Sequence, residues 1–207
     1  MSDTSPLEQL TRIAAEIGGI DVDCYKRFGK DPSKPILGLG IAQARWCFFG
    51  RDPGEREVCD QFPFVGGAGE KIRSVMKECG ISNDNVYWMN TVPFKPIGNK
   101  AWSVGDRRKC QPALLELLAK WDGAEVITFG EAAFKWFGLG SSNDRRTIEQ
   151  FWKRADKYQA ELSISLNILG VERRFILCPV PHPSGANATW SSRFPVLLRE
   201  RLQNRRH

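Results

Sequence analysis

The chain is 207 residues long, enough for one domain with a sizeable core. Apolar residues make up 42%, charged residues 26% and aromatic residues 11%, a balance that excludes a disordered or fibrous chain. Thirty Lys and Arg against 24 Asp and Glu leave a net charge of +6, a basic excess too small by itself to establish a polyanionic partner.

Leu7, Leu10, Ile13, Ala14 and Ile17 recur at helical spacing and stop at Gly18-Gly19, which predicts a first helix with a glycine stop. Residues 44–50 (ARWCFFG) are a short unbroken apolar run that reads as a buried strand. Arg51-Asp52-Pro53-Gly54 follows it, and then the loop QFPFVGGAG. Ile72, Val75, Met76 and Cys79 predict a helix ending at Gly80. A second strand is read at residues 85–92 (NVYWMNTV), with Asn90 near its end. Asp106 is placed as the cap of a helix carrying Cys110, Leu114, Leu117, Leu118 and Trp121 on one side. Residues 124–130 (AEVITFG) read as a third strand, 131–137 as a short helix and 144–158 as a more polar one. The fourth strand, 174–180 (RFILCPV), opens into His182-Pro183-Ser184-Gly185, and residues 191–202 close the chain as a basic helix.

This alternation predicts a single α/β domain over residues 1–207. The expected architecture is a three-layer α/β/α sandwich around a central four-stranded parallel sheet, with right-handed crossovers. In such sheets ligands bind beyond the carboxyl ends of the strands. That rule selects the loops after the first, second and fourth strands.

No apolar run approaches the ~20 residues of a membrane-spanning helix. The opening MSDTSPLEQL lacks the basic stretch and apolar core of a secretory leader. Cys24, Cys47, Cys59, Cys79, Cys110 and Cys178 include no C-x-x-C pair, which disfavours a disulfide framework or a zinc ribbon. A reduced, cytoplasmic protein without membrane attachment or metal is the expectation. The histidines are His182 and the terminal His207, so histidine chemistry falls to His182.

Each candidate residue carries two readings. Asp52, in D-P-G, is either a turn former or a carboxylate that orients water and faces a developing cation. His182 lies between two prolines that restrict its backbone, so it is either a pre-positioned side chain or a structural one. Asn90 offers a paired donor and acceptor that suit either an amide-like base edge or neighbouring backbone. Phe64 is a stacking platform or a core plug. The GGAG run lacks the G-x-x-x-x-G-K-[ST] of a phosphate cradle, which counts against a nucleotide-binding module.

Taken in order, GRDPGERE, PFVGGAGEKI, MNTVPFKP and VPHPSGAN resemble the motifs of the uracil-DNA glycosylase superfamily. The family 4 pattern fits them best: GEAPGxxED, PFVGxAG, TNVVKCRP and HPS, matched from about residue 44 to about residue 190. The resemblance implies an enzyme that hydrolyses the N-glycosidic bond of uracil in single- or double-stranded DNA. It would leave an abasic site and free uracil, act as a monomer and flip the nucleotide out of the stack. It further implies that Asp52 orients water and stabilises the sugar cation, as the aspartate of the family 1 motif GQDPY does. Phe64 would stack on uracil and Asn90 would read its edge. His182, as a neutral imidazole, would hydrogen-bond O2. Arg51 and Gly54 would complete the uracil site. Ser184, Gly185, Ala186 and Asn187 match the loop that pinches the DNA backbone, with Asn187 or Trp190 as the wedge. Among the basic residues, Arg145 and Arg146 are assigned to DNA phosphates.

The departures are specific. Arg51 stands where the family 4 pattern has Glu, and Asp52 where it has Ala. Gly54 replaces the family 1 tyrosine that blocks the thymine methyl, leaving Glu57 and Gly66-Gly67 as candidates for that task. Family 4 members hold an iron–sulfur cluster through four cysteines. Cys24 and Cys110 match two of them, while Arg27 and Phe94 occupy the other two places, so no cluster is expected. Two alternatives stay open. One is a uracil-DNA capture protein, which would use an additional histidine in a basic loop, whereas this chain has no internal histidine beyond His182. The other is a glycosylase of broader range, acting on hypoxanthine, xanthine or mismatched thymine.

Overall fold

The computed structural model describes residues 4–184 and 188–203. In chain order the elements are α1 (Pro6–Glu16), α2 (Val22–Arg27), β1 (Trp46–Gly50), α3 (Glu55–Asp60), α4 (Gly67–Glu78) and β2 (Val86–Asn90). There follow α5 (Val104–Leu118), β3 (Glu125–Phe129), α6 (Glu131–Trp136), α7 (Ser142–Trp152), β4 (Leu162–Ile168), β5 (Val171–Val180), α8 (Ala188–Ser191) and α9 (Phe194–Gln203). Their strands form one sheet in the order β2-β1-β3-β5-β4. β1, β2, β3 and β5 run parallel, and β4 pairs antiparallel with β5.

The apolar runs are continuous because both faces of the central strands are covered. Alternate residues point to opposite layers. Cys47 and Phe49 of β1, with Tyr87, Met89 and Val126, face a core shared with Leu10, Tyr25, Leu114 and Trp136. Trp46 and Phe48, with Trp88 and Ile127, face a second core with Ile72, Val75 and Leu198. α1 packs on α5 and α4 on α9, completing the three layers. Among the described residues no helix is long and apolar enough to cross a membrane.

Two expectations need correction. The sheet has five strands rather than four, because β4 is an edge strand with one dry face. Ile164, Leu166 and Ile168 are buried, while Ser163, Ser165 and Asn167 are exposed. Such alternation is the signature of a half-buried strand rather than of the unbroken runs that mark the sheet centre. Leu169 and Gly170, both at positive φ (53° and 84°), make the tight turn into β5, and Asn167 Oδ1 accepts from Gly170 N at 3.0 Å. The second correction concerns helix caps. Ser103, not Asp106, caps α5: its hydroxyl accepts from Asp106 N at 3.0 Å. Ser141 does the same for α7, accepting from Asp144 N at 3.1 Å, and that helix stops at Trp152.

Candidate active site

Parallel pairing brings the ends of the central strands level. Gly50 is in register with Asn90, and Phe129 with Val180. Two further bonds extend the match past the strands, from Thr91 N to Gly50 O (3.0 Å) and from Val92 N to Arg51 O (3.3 Å). A cleft of about 320 Å³ opens there, lined by Gly50, Arg51, Asp52, Gly54, Glu57, Phe64, Asn90, Asn99, Phe129 and His182, among others. That volume is at the small end for ligand pockets and suits a single nucleobase. Asp52, Phe64, Asn90 and His182, far apart in sequence, therefore share one cavity.

Asn90 is 3% exposed. No hydrogen bond joins its carboxamide to any described residue, whereas a buried amide in a folded protein is normally paired. Phe64 is held at φ 58°, a left-handed conformation worth about 1–3 kcal/mol of strain in a non-glycine residue. Its ring lies against Trp88 and Phe129, with centroids 5.2 and 5.6 Å away. Gly50 separates the two: a Cβ there would come within 2.5 Å of both Asn90 Oδ1 and Phe64 Cζ. Carboxamide edge and ring thus meet at a floor that tolerates no side chain.

His182 follows β5 by two residues. Ser184 N donates to its Nδ1 at 3.2 Å, which leaves the proton of a neutral ring on Nε2. Burial first, and the Arg51 charge second, push its pKa down from 6.5 to about 4. At neutral pH the imidazole is uncharged and its Nε2–H is a donor.

Asp52 is more occupied than the sequence suggests. Its side chain is 3% exposed and lies in the fork of Arg51, with Nε to Oδ1 at 2.6 Å and Nη2 to Oδ2 at 3.1 Å. Burial raises its pKa, while Arg51, Lys95 and Arg107 oppose the rise. Arg51 Nη2 also donates to Asn99 O at 3.1 Å. Glu57 ties two motif loops together, accepting from Gly54 N at 2.9 Å and from Gly66 N at 2.7 Å.

Sequence reasoning missed Asn99, Phe129 and the buried Lys95. The Gly98-Asn99 pair is a turn signal, and both residues are at positive φ. Phe129 reads in sequence like any other strand residue. Lys95 Nζ donates to Asp21 Oδ2 (3.0 Å), Pro96 O (3.1 Å) and Asn99 Oδ1 (3.3 Å), so it buttresses the loop that holds Arg51.

The DNA assignments divide. Ser184 is described and positions His182; Gly185, Ala186 and Asn187 lie outside the described residues. Trp190 packs edge-on against Tyr158, centroids 4.8 Å apart. Arg145 and Arg146 are on α7, away from the cleft wall. Arg145 pairs with Glu149 at 2.9 Å and borders a separate cavity of about 220 Å³ with Arg107 and Lys135.

The donor set does not fit a four-thiolate cluster. Phe94 is fully buried in the packed core with Cys24 and Cys110, and Arg27 pairs with Glu55 at 2.6 Å. Burial raises the pKa of both thiols, that of Cys110 to about 12. Among the described residues no three His, Cys, Asp or Glu side chains gather as a metal site.

The profile of the Uracil DNA glycosylase superfamily matches residues 37–204. A type-4 uracil-DNA glycosylase of Thermotoga maritima is 29% identical over 102 residues, 49% of this chain and 53% of that protein. Over 182 residues, 87% of this chain, the type-4 uracil-DNA glycosylases of Sulfurisphaera tokodaii and Saccharolobus solfataricus are 24% and 29% identical, covering 76% and 78% of their lengths. With a strand-end cleft that unites the four motif loops, and a profile match across most of its length, the chain belongs to the uracil-DNA glycosylase superfamily.

Proposed function

We propose that the protein removes uracil from DNA by hydrolysing its N-glycosidic bond. The observation that carries this reading is the unpartnered, buried carboxamide of Asn90 beside the Phe64 ring. An amide with both donor and acceptor unused is complementary to O4 and N3–H of uracil. Cytosine presents the reverse order, and mismatched buried polar groups cost about 1–3 kcal/mol each.

In this reading the nucleotide leaves the stack and its base lies on Phe64. The N1–C1′ bond breaks, its electron pair passing into the uracil ring, and negative charge builds on O2. The neutral His182 donates Nε2–H to that oxygen; a fixed donor of this kind is typically worth about 10²–10³ in rate. Asp52 offsets the cationic sugar and aims water at C1′. The water oxygen bonds C1′ and releases a proton to solvent, while the departing uracil anion takes one up from solvent, giving abasic DNA and free uracil. We assign no role to a metal or iron–sulfur cluster. Iron content and visible absorption of the purified protein test that: cluster-like bands with stoichiometric iron would contradict it.

Glu57 supports discrimination against thymine. Its carboxylate lies beside Gly54, where an added Cβ would come within 2.7 Å of Oε2. A 5-methyl group pressed against that carboxylate would strip its hydration without replacing it.

The test uses end-labelled oligonucleotides, single- and double-stranded, bearing one uracil and cleaved with alkali after incubation. Scission by wild type that collapses in Asn90→Ala and His182→Ala supports the reading. A protein–DNA adduct that survives denaturation would support uracil capture instead, and no product would refute both.

A further inference from the structure

Arg51 interrupts the cleft with a positive charge at the one place where a catalytic carboxylate needs to be open. Both oxygens of Asp52 are taken by its fork, and among the described residues no other group donates a hydrogen bond to that carboxylate. The exposures are unequal: the Asp52 side chain is 3% exposed and that of Arg51 33%. A ligand entering the cleft therefore meets the guanidinium before it meets the acid. Of the guanidinium nitrogens, Nε and Nη2 are spent on Asp52 and Asn99 O, while Nη1 has no hydrogen-bond partner among the described residues. The other arginine on the cleft wall, Arg56, is paired at the rim with Glu70.

The pairing solves one problem and creates another. A carboxylate buried this deeply is kept charged by nearby cations, here Arg51 in contact with it and Lys95 and Arg107 acting on it as well. The Arg51 charge also cancels the field that the carboxylate would exert on a sugar cation across the cleft. Substrate brings its own remedy. The flipped nucleotide stays joined to a phosphate on either side, and a phosphate matches the guanidinium fork as well as a carboxylate does.

We infer that Arg51 is a phosphate-operated latch: it neutralises Asp52 in the free protein and transfers its fork to a phosphate flanking the extruded nucleotide. Nη1 takes the first contact. Asn99 O, itself held through Lys95, keeps the guanidinium on the cleft wall as it turns. Asp52 is then uncovered as an anion when the sugar is in place and not before. This makes Arg51 a positioning residue, acting on the reaction through Asp52, and it rests on the glycosylase reading above.

The experiment measures single-turnover excision, at saturating protein, from a single-stranded oligonucleotide bearing one uracil. Phosphates on either side of the uracil are replaced one at a time by neutral methylphosphonates. Wild type is expected to slow at one position by about tenfold or more, the worth of a hydrogen bond to a charged group. Arg51→Gln should be slow on the unmodified strand and indifferent at that position. Asp52→Asn has no charge to uncover, so its residual rate should also lose the position-specific penalty. Arg51→Lys, with the charge but not the fork, should keep part of the penalty.

Equal slowing of wild type and both variants at every position, or no sensitive position in wild type, would overturn the latch while leaving the glycosylase reading intact. Failure of wild type to excise uracil from the fully charged strand would overturn both. Should Arg51→Gln not fold, the comparison of wild type with Asp52→Asn decides alone.

Discussion

Two buried polar regions lie back to back in this molecule and are built on opposite principles. Around Lys95 the buried polar groups are matched. The ammonium has three acceptors in Asp21, Pro96 and Asn99, Tyr25 Oη accepts from Lys95 N at 3.2 Å, and Trp102 Nε1 donates to Phe94 O at 3.1 Å. In the cleft, neither the Asn90 carboxamide nor His182 Nε2 has a hydrogen-bond partner among the described residues, and Phe64 is strained. The indoles of Trp46 and Trp136 also have no partner among the described residues, but they are sealed in packed layers, whereas Asn90 borders open space. A matched region adds stability; an open one holds binding capacity in reserve for a ligand.

That contrast breaks most visibly at the cleft floor. Gly50→Ala should abolish excision and base binding at a cost of about 1–3 kcal/mol in stability, because its Cβ collides with Asn90 Oδ1 and with the packed ring of Phe64. His182→Ala and Asn90→Ala should each lower the single-turnover rate by about 10²–10³ and leave the unfolding midpoint unchanged or raised. A large loss of stability in Asn90→Ala would show that its carboxamide is structural.

The matched region predicts the reverse pattern. Asp21→Ala leaves the Lys95 charge buried without its carboxylate and should cost about 3 kcal/mol in urea unfolding. Activity measured well below the unfolding midpoint should fall only as far as the Asn99 loop relaxes. A catalytic collapse with intact stability would erase the distinction between the two regions.

The smallest expected effect is on pH dependence. The unfolded chain protonates His182 near 6.5, and the native chain near 4. Between those values the unfolded state holds a proton that the native state lacks, so stability falls as pH drops through that window. His182→Gln should flatten this loss. Single-turnover rates should show no step near pH 6.5, and the imidazole should stay neutral by NMR down to about pH 5. A titration at 6.5 would mean that the ring is more open than the cleft implies.

The motifs made much of the site legible, since each consists of a side chain with a distinct chemical capacity beside turn residues that place it at a strand end. The four central strands were legible for the same reason that they are central: continuous apolar runs such as WCFFG have no other stable home. β4 is hard to read in the sequence because LSISLNI is half polar, and its period-two alternation carries less signal than an unbroken run. Ser103 and Ser141 compete in the sequence with the acidic residue three places on, which is itself a common cap.

What the one-dimensional order of residues determined was which chemistry the motif loops carry: an asparagine, a histidine and an aspartate at or just past strand ends, and a phenylalanine in the loop between α3 and α4. Tertiary structure decided which partners those groups have. Among the described residues Asn90 was left without one, and Ser184 chose the tautomer of His182. Arg51 closed on its neighbour Asp52 and on the distant Asn99, and Lys95 reached across to Asp21. Hydrogen bonds and desolvation depend on distances of a few ångströms between segments far apart in the chain, and only folding sets those distances.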